Sequence, residues 1–80
     1  MVLLSIVVDE RFISVDGRGL RRARRDRALS QQDLAAATGV AQATLSDLER
    51  GKRGARASTV RKLAAALGVE PKELMEEERA

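Results

Sequence analysis

The chain has 80 residues, a formal net charge of +3, a single aromatic residue (Phe12) and neither Cys nor His. Eighty residues provide for one domain at most. Without Cys or His there is no disulfide, no thiolate or imidazole metal site and no histidine general base, so the composition predicts a protein that is not an enzyme and binds no metal or cofactor.

The positive charge is concentrated in the middle of the chain. Residues 18–62 carry twelve Lys and Arg against four Asp and Glu, a net charge of +8. Residues 1–17 carry one base and three acids (−2), and residues 63–80 carry two bases and five acids (−3). A basic block of this size is suited to a polyanion, although an ordinary solvated helical surface would have a similar composition.

The N-terminal segment is rich in β-branched and aliphatic residues. Two such runs, residues 2–8 and 11–15, are separated by Asp9 and Glu10 and predict a short β-hairpin arm. An isolated hairpin is marginal in water, so the arm either packs on the rest of the domain or pairs with the same arm of a second chain; the second outcome is favoured because unpaired strand edges recruit strands. No run approaches the ~20 apolar residues of a membrane span and no signal peptide is evident, which predicts a cytoplasmic protein with no membrane segment.

Apolar residues recur at helical spacing from Arg18 onward and predict five helices, at about residues 18–27, 31–38, 42–50, 56–67 and 71–77. Ser30 and Asp33 have the spacing of a capping box at the start of the second helix. Pro71 fits the first turn of the fifth. Three glycines are placed to end the second, third and fourth helices: Gly39, Gly51 and Gly68. The predicted organisation is an arm (1–17), a helical domain (18–77) and a tail (78–80).

The second and third predicted helices have the features of a helix-turn-helix. Ala35 allows the two helices to approach closely, and Gly39 can adopt the positive φ that a sharp turn requires. The shared apolar underside consists of Leu34, Val40, Leu45 and Leu48. Each of these residues alone is compatible with an ordinary core, but their combination predicts a DNA-binding helix-turn-helix.

The stretch from Leu20 to Met75 resembles the Cro and phage-repressor type of helix-turn-helix domain, the XRE family. Three motifs carry the resemblance: Leu29-Ser30-Gln31, Leu48-Glu49-Arg50-Gly51-Lys52-Arg53, and Leu63-Ala64-Ala65-Ala66-Leu67-Gly68-Val69. The resemblance implies a compact five-helix, lambda-repressor-like, all-α domain that binds double-stranded operator DNA as a homodimer, with the third helix in the major groove.

The resemblance also implies roles for individual residues. It assigns base reading to the outward face of the third helix, at Gln42, Ala43, Thr44 and Asp47. It assigns contacts with the DNA backbone to Gln31, Ser46, Arg50, Lys52 and Arg53. Arg24 and Glu49 match an ion pair that links the first helix to the end of the third and orients the recognition helix.

Four alanines depart from the family pattern. Ala28 stands where Gly is common, in a turn whose positive φ is unfavourable for other residues. Ala41 replaces the usual Ser or Thr before the third helix, which removes a cap worth ~1 kcal/mol. Ala23 and Ala57 replace larger aliphatic residues and leave space that the arm is a candidate to fill, through Phe12, Ile13 and Val15.

The sequence therefore predicts a sequence-specific transcriptional regulator, with repression as the expected action. Two alternatives stay open. In the first, the chain is the antitoxin of a toxin–antitoxin pair, and residues 2–15 bind another protein. In the second, the same fold acts as a protein-interaction module without base reading.

Overall fold

The computed structural model describes residues 11–77. These residues form four α-helices: α1 (Gly17–Asp26), α2 (Gln31–Thr38), α3 (Gln42–Glu49) and α4 (Ala57–Leu67). They also form two short strands and a closing 3-10 helix: β1 (Phe12–Ile13), β2 (Ala55–Arg56) and Pro71–Leu74. The mostly helical fold is confirmed, and none of the helices in residues 11–77 is both long and apolar enough to cross a bilayer. The predicted strand at residues 2–8 lies outside the described residues.

The prediction of a fifth α-helix over residues 71–77 is wrong. Residues 71–74 form a single 3-10 turn, and the backbone of Met75 is extended. Met75 forms an antiparallel bridge with Val15, flanked by hydrogen bonds from Asp16 N–H to Leu74 O (2.8 Å) and from Glu76 N–H to Ser14 O (2.9 Å). Because these bonds require extended backbone, they prevent the helix from continuing.

The arm residues of the described chain pair with the helical body. β1 is antiparallel to β2, with Phe12 opposite Arg56 and Ile13 opposite Ala55. Strand β2 was not predicted: the expected helix from residue 56 instead begins at Ala57, after two extended residues. Residues 11–16 are thus held on the body first by β2 and then by the segment around Met75.

The core is aliphatic, as the composition requires. Its fully buried side chains come from all four α-helices and the 3-10 helix: Leu20, Leu34, Leu45, Leu48, Val60, Leu63, Leu67 and Leu74. Of the arm residues, Val15 is buried in this core and Ile13 packs against it. Phe12 does not fill the space beside the small alanines, because its side chain is 62% exposed.

Ala28 adopts the left-handed conformation after α1, with φ +58°. For an L-residue this conformation is disfavoured by roughly 1–2 kcal/mol, whereas Gly is disfavoured by only about 0.5–1 kcal/mol through its larger loss of entropy. We therefore expect Ala28→Gly to raise the free energy of unfolding by about 0.5–1 kcal/mol in urea denaturation. Ala36→Gly, at an exposed site inside α2, is the control and should lower it by about 1 kcal/mol. A loss of stability in both variants would contradict the strain at Ala28.

Candidate DNA interface

The turn between α2 and α3 is fixed by local hydrogen bonds. Gly39 has φ +78° and donates its N–H to Ala35 O at 2.8 Å. Thr38 Oγ1 donates to Leu34 O (2.7 Å) and accepts from Val40 N–H (3.2 Å). Gly39 was predicted from the sequence, whereas Thr38 was not; the signal for Thr38 is a hydroxyl directly before a helix-ending glycine. The turn therefore sets the angle at which α3 leaves α2.

Helix α2 begins with the predicted capping box. Ser30 Oγ accepts from Asp33 N–H, and Asp33 Oδ2 accepts from Ser30 N–H, both at 2.9 Å. These hydrogen bonds with Ser30 hold the pKa of Asp33 below its ordinary value of 3.8. Helix α3 has no such cap, because Ala41 provides no side-chain hydrogen bond.

Helix α3 has a buried face and an outward face. Leu45 and Leu48 are fully buried against the core. Gln42 and Ala43 are exposed at its start, and three further side chains are half-buried: Thr44, Ser46 and Asp47. The residues assigned to base reading therefore occupy the exposed and half-buried positions of α3.

A basic segment, residues 50–53, follows α3 directly. Its three charged residues, Arg50, Lys52 and Arg53, are all exposed. Gly51 has φ +72°, and Lys52 N–H donates to Asp47 O at 2.9 Å, so the backbone turns back over the end of α3. Arg50 Nη2 also forms an exposed ion pair with Asp47 Oδ1 at 3.3 Å. The Asp47 carboxylate is thus engaged by Arg50.

The Glu49 carboxylate joins three helices. Arg24 on α1 donates from Nε to Glu49 Oε2 (2.6 Å) and from Nη2 to Oε1 (3.0 Å). Gln31 at the start of α2 donates from Nε2 to the same Oε1 at 3.1 Å. The third donor group of Arg24, Nη1, reaches Leu29 O at 2.7 Å. This cluster, formed by Arg24, Leu29, Gln31 and Glu49, fixes the end of α3 relative to α1 and α2.

Burial and neighbouring charges shift the pKa of Glu49 in opposite directions. Burial raises the pKa of Glu49, but the hydrogen bonds from Arg24 and Gln31, together with the charges of Arg24 and Arg21, outweigh it and hold the pKa below its ordinary value of 4.5. The hydrogen bond with Glu49 raises the pKa of Arg24. Both side chains are therefore charged at neutral pH. The resemblance assigns Gln31 to DNA, but the Gln31 amide already donates one N–H to Glu49. Its second N–H is left for a phosphate or base acceptor, and its carbonyl oxygen is left for a base donor.

The first turn of α1 packs directly on the last turn of α3. Asp16 Oδ1 caps α1 by accepting from Gly19 N–H at 3.1 Å. A Cβ atom placed on Gly17 would lie 2.5 Å from the carbonyl oxygens of both Leu48 and Glu49. Only glycine allows this approach. Gly17 is the last residue of the predicted arm, and no motif in the sequence signals this contact.

The fixed α2–turn–α3 unit, with its buried leucines and outward polar face, is the geometry of a helix-turn-helix. Residues 20–74 match the HTH_3 family model, described as helix-turn-helix. The chain belongs to this family. The predicted resemblance to Cro and phage-repressor domains is confirmed, and HTH_3 proteins are DNA-binding transcriptional regulators.

Curated relatives carry the same designation. The HTH-type transcriptional regulator y4dJ of Sinorhizobium fredii is 42% identical over 59 residues, which are 74% of this chain and 77% of that protein. The HTH-type transcriptional regulator RghRB of Bacillus subtilis is 45% identical over 60 residues, which are 74% of this chain and 43% of that protein. The matched region of this chain thus spans less than half of the length of RghRB.

Solved structures of HTH proteins resemble the fold. The restriction-modification controller protein C.AhdI from Aeromonas hydrophila has a TM-score of 0.70 and 39% identity, over 74% of this chain and 89% of that one. The biofilm regulator SinR, in complex with DNA, has a TM-score of 0.68 and 28% identity, over 70% of this chain and 90% of that one.

Proposed function

We propose that this HTH_3 protein is a sequence-specific transcriptional repressor that binds operator DNA as a homodimer and places α3 in the major groove. One observation carries the proposal: α3 is exposed at its start and is followed at its end by three exposed cations, while its opposite face is buried in the core. A helix presented in this way has polar side chains at base-edge height and cations beside the phosphates. The DNA complex of SinR, a structural relative, supports the same use of this fold.

The outward residues of α3 and the basic segment after it have separate roles in this proposal. Gln42 can form two hydrogen bonds with adenine, and Thr44 can contact a thymine methyl group or a phosphate. Asp47 can accept from cytosine once Arg50 exchanges its ion pair for a phosphate. Lys52 and Arg53 supply affinity without sequence information, and Ser46 is a further backbone contact. A dimer of such domains reads two half-sites about one helical turn apart.

The arm supplies the proposed dimer contact. Phe12 is exposed on β1, close to the start of the described residues. An exposed aromatic side chain beside the edge of a small sheet is suited to contact with another protein surface. The same observation favours a second candidate function, an antitoxin whose arm binds a toxin instead of a second copy. The mass of the complex in solution distinguishes the two candidates.

Selection of bound sites from random duplex DNA tests the repressor proposal, using two variants. We expect Gln42→Ala to change the selected base at one position of each half-site, with a loss of about 1–3 kcal/mol in discrimination. We expect Arg53→Ala to weaken binding to all sequences equally and to reduce the slope of log K against log salt by about 0.9.

Lys62→Ala is the matched control for charge, because Lys62 is exposed on α4, which packs mainly on α2 and the 3-10 helix. This variant should retain both the selected sequence and most of the salt dependence. Identical effects of Gln42→Ala and Arg53→Ala would contradict the division into reading and anchoring residues. Binding without any selected sequence would favour a protein-interaction module.

A further inference from the structure

Helix α1 carries an exposed row of arginines that the helix-turn-helix does not include. Five of its ten residues are Arg, and its one acid is Asp26 at the last position. Leu20 and Arg24 turn inward, the first into the core and the second onto Glu49. The other four arginines of α1 are exposed and recur at the i, i+3, i+4, i+7 spacing of one helix face. We call this set the arginine stripe: Arg18, Arg21, Arg22 and Arg25.

The arginine stripe forms no ion pair within residues 11–77, and only Arg21 acts at longer range, on the Glu49 carboxylate. Between residues 11 and 77, the ion pairs are those of Arg24 with Glu49 and of Arg50 with Asp47, and neither involves the stripe. Like charges three and four positions apart on a helix repel each other, and the stripe contains four such pairs. The arrangement therefore destabilises the free helix, and a ligand of opposite charge would remove this repulsion.

The stripe lies beside the end of the recognition helix. The first turn of α1 is in backbone contact with Leu48 and Glu49 at Gly17, the residue before Arg18. Arg24 is bonded to Glu49, and the charge of Arg21 also acts on that carboxylate. The basic segment 50–53 begins at the next residue of the chain. The stripe and the basic segment thus approach each other at the end of α3.

We propose that the arginine stripe of α1 is a second DNA-backbone site, which binds phosphates flanking the bases read by α3 on the same duplex. The proposal rests on the proposed function. Arg18 and Arg25 are seven positions apart, which is about 10 Å along the helix, and a DNA strand presents one phosphate per 3.4 Å of axis, so the stripe faces about three phosphates. Guanidinium groups match phosphate oxygens in pairs, and the stripe contains no apolar anchor of the kind that dominates protein interfaces.

The test compares two double variants that each remove two exposed positive charges. Arg18→Gln/Arg25→Gln neutralises half of the stripe, and Arg61→Gln/Lys62→Gln removes the same charge from the exposed surface of α4. Dissociation constants are measured between 50 and 200 mM salt. The two duplexes carry the selected site alone and the site extended by one helical turn on each side.

We expect the stripe variant to reduce the slope of log K against log salt by about 1.8, from two lost phosphate contacts, and to lose the gain in affinity from the extended duplex. The selected sequence should stay unchanged, and the α4 variant should retain both the slope and the gain. Equal slopes and equal gains in the two variants would overturn the proposal, and this result would leave an acidic protein surface as the ligand to pursue.

Separate control measurements test the folding of the variants and the proposed function. Because the substitutions remove repulsion between exposed side chains, the thermal unfolding midpoint should be equal to or above that of the wild type. The single variants Arg18→Gln and Arg25→Gln should each reduce the slope by about 0.9. If the wild type selects no sequence, the proposed function fails. If it selects one and the stripe variants behave as the α4 control does, only the role of the stripe fails.

Discussion

Glu49→Ala is expected to lower the free energy of unfolding by about 3–5 kcal/mol, which is a large part of the stability of a small domain. The substitution leaves the Arg24 guanidinium, whose side chain is 10% exposed, without its carboxylate. It also removes the acceptor of Gln31. Urea denaturation followed by far-ultraviolet circular dichroism measures the loss.

Asp47→Ala is the matched control, because it removes an acid from the same helix whose ion pair with Arg50 is exposed. Its effect on the free energy of unfolding should stay under about 1 kcal/mol. Arg24→Met/Glu49→Leu should recover much of the loss, since a buried pair replaced by apolar residues leaves no unpaired charge. A Glu49→Ala protein as stable as the Asp47→Ala protein would contradict the structural role of the cluster.

The Arg24–Glu49 pair predicts that the free energy of unfolding depends on pH. The pKa of Glu49 is lower in the folded protein than its ordinary value of 4.5. The folded state therefore binds the proton more weakly, and the contribution of the pair is complete above pH 4.5 and is lost as the pH falls through the folded pKa. The difference in stability between the wild type and Glu49→Ala should accordingly narrow on acidification below about pH 4.5.

Gly17→Ala is expected to lower the free energy of unfolding by about 1–3 kcal/mol, although alanine is the better helix former. The new Cβ atom would lie 2.5 Å from two backbone oxygens of α3, which cannot move without displacing the end of that helix. Because Glu49 contributes one of these oxygens, the displacement should also weaken the Arg24–Glu49 pair and reduce affinity for the selected DNA site. Urea denaturation and fluorescence anisotropy with labelled duplex measure the two effects.

Gly19→Ala provides the comparison within the same helix. The nearest atom to its added Cβ would be Asp16 Oδ2 at 2.7 Å, on a flexible side chain, and the nearest backbone oxygen would be Glu73 O at 3.2 Å. Movement of Asp16 would weaken the cap on Gly19 N–H but would not displace α3. The loss should be smaller than for Gly17→Ala and should leave DNA affinity unchanged. If the Gly17→Ala protein had the same free energy of unfolding as the wild type, the close packing of α1 on α3 would not contribute to stability.

The parts of the fold that depend on neighbouring residues were predictable from the sequence. The capping box of Ser30 and Asp33 acts over three positions, and Gly39 permits its own turn conformation. The leucines of α3 lie three apart, so their burial on one face follows from helix geometry. These local signals, together with the motifs of the family, were sufficient to predict α2, the turn and α3.

The parts that depend on distant residues were not predictable. Strand β2 has two residues, too few to show an alternating pattern, and it is extended because it pairs with Phe12 and Ile13. The chain at Met75 is rich in helix formers, yet it is extended because Val15 is its partner. The resemblance placed Gln31 and Asp47 at the interface, but their hydrogen bond and ion pair with Glu49 and Arg50 are seen only in the structure.

The bridge between Val15 and Met75 joins the segment before α1 to the segment after the 3-10 helix, so that neither segment can open without the other. Fraying at either end removes the hydrogen-bond partners of the other, through Asp16 with Leu74 and Glu76 with Ser14. The two terminal segments therefore form a single cooperative unit, although they are farther apart in sequence than any helices they enclose. The α2–turn–α3 unit lies between these segments in the chain and has its own local hydrogen bonds, so it can stay folded while this unit opens.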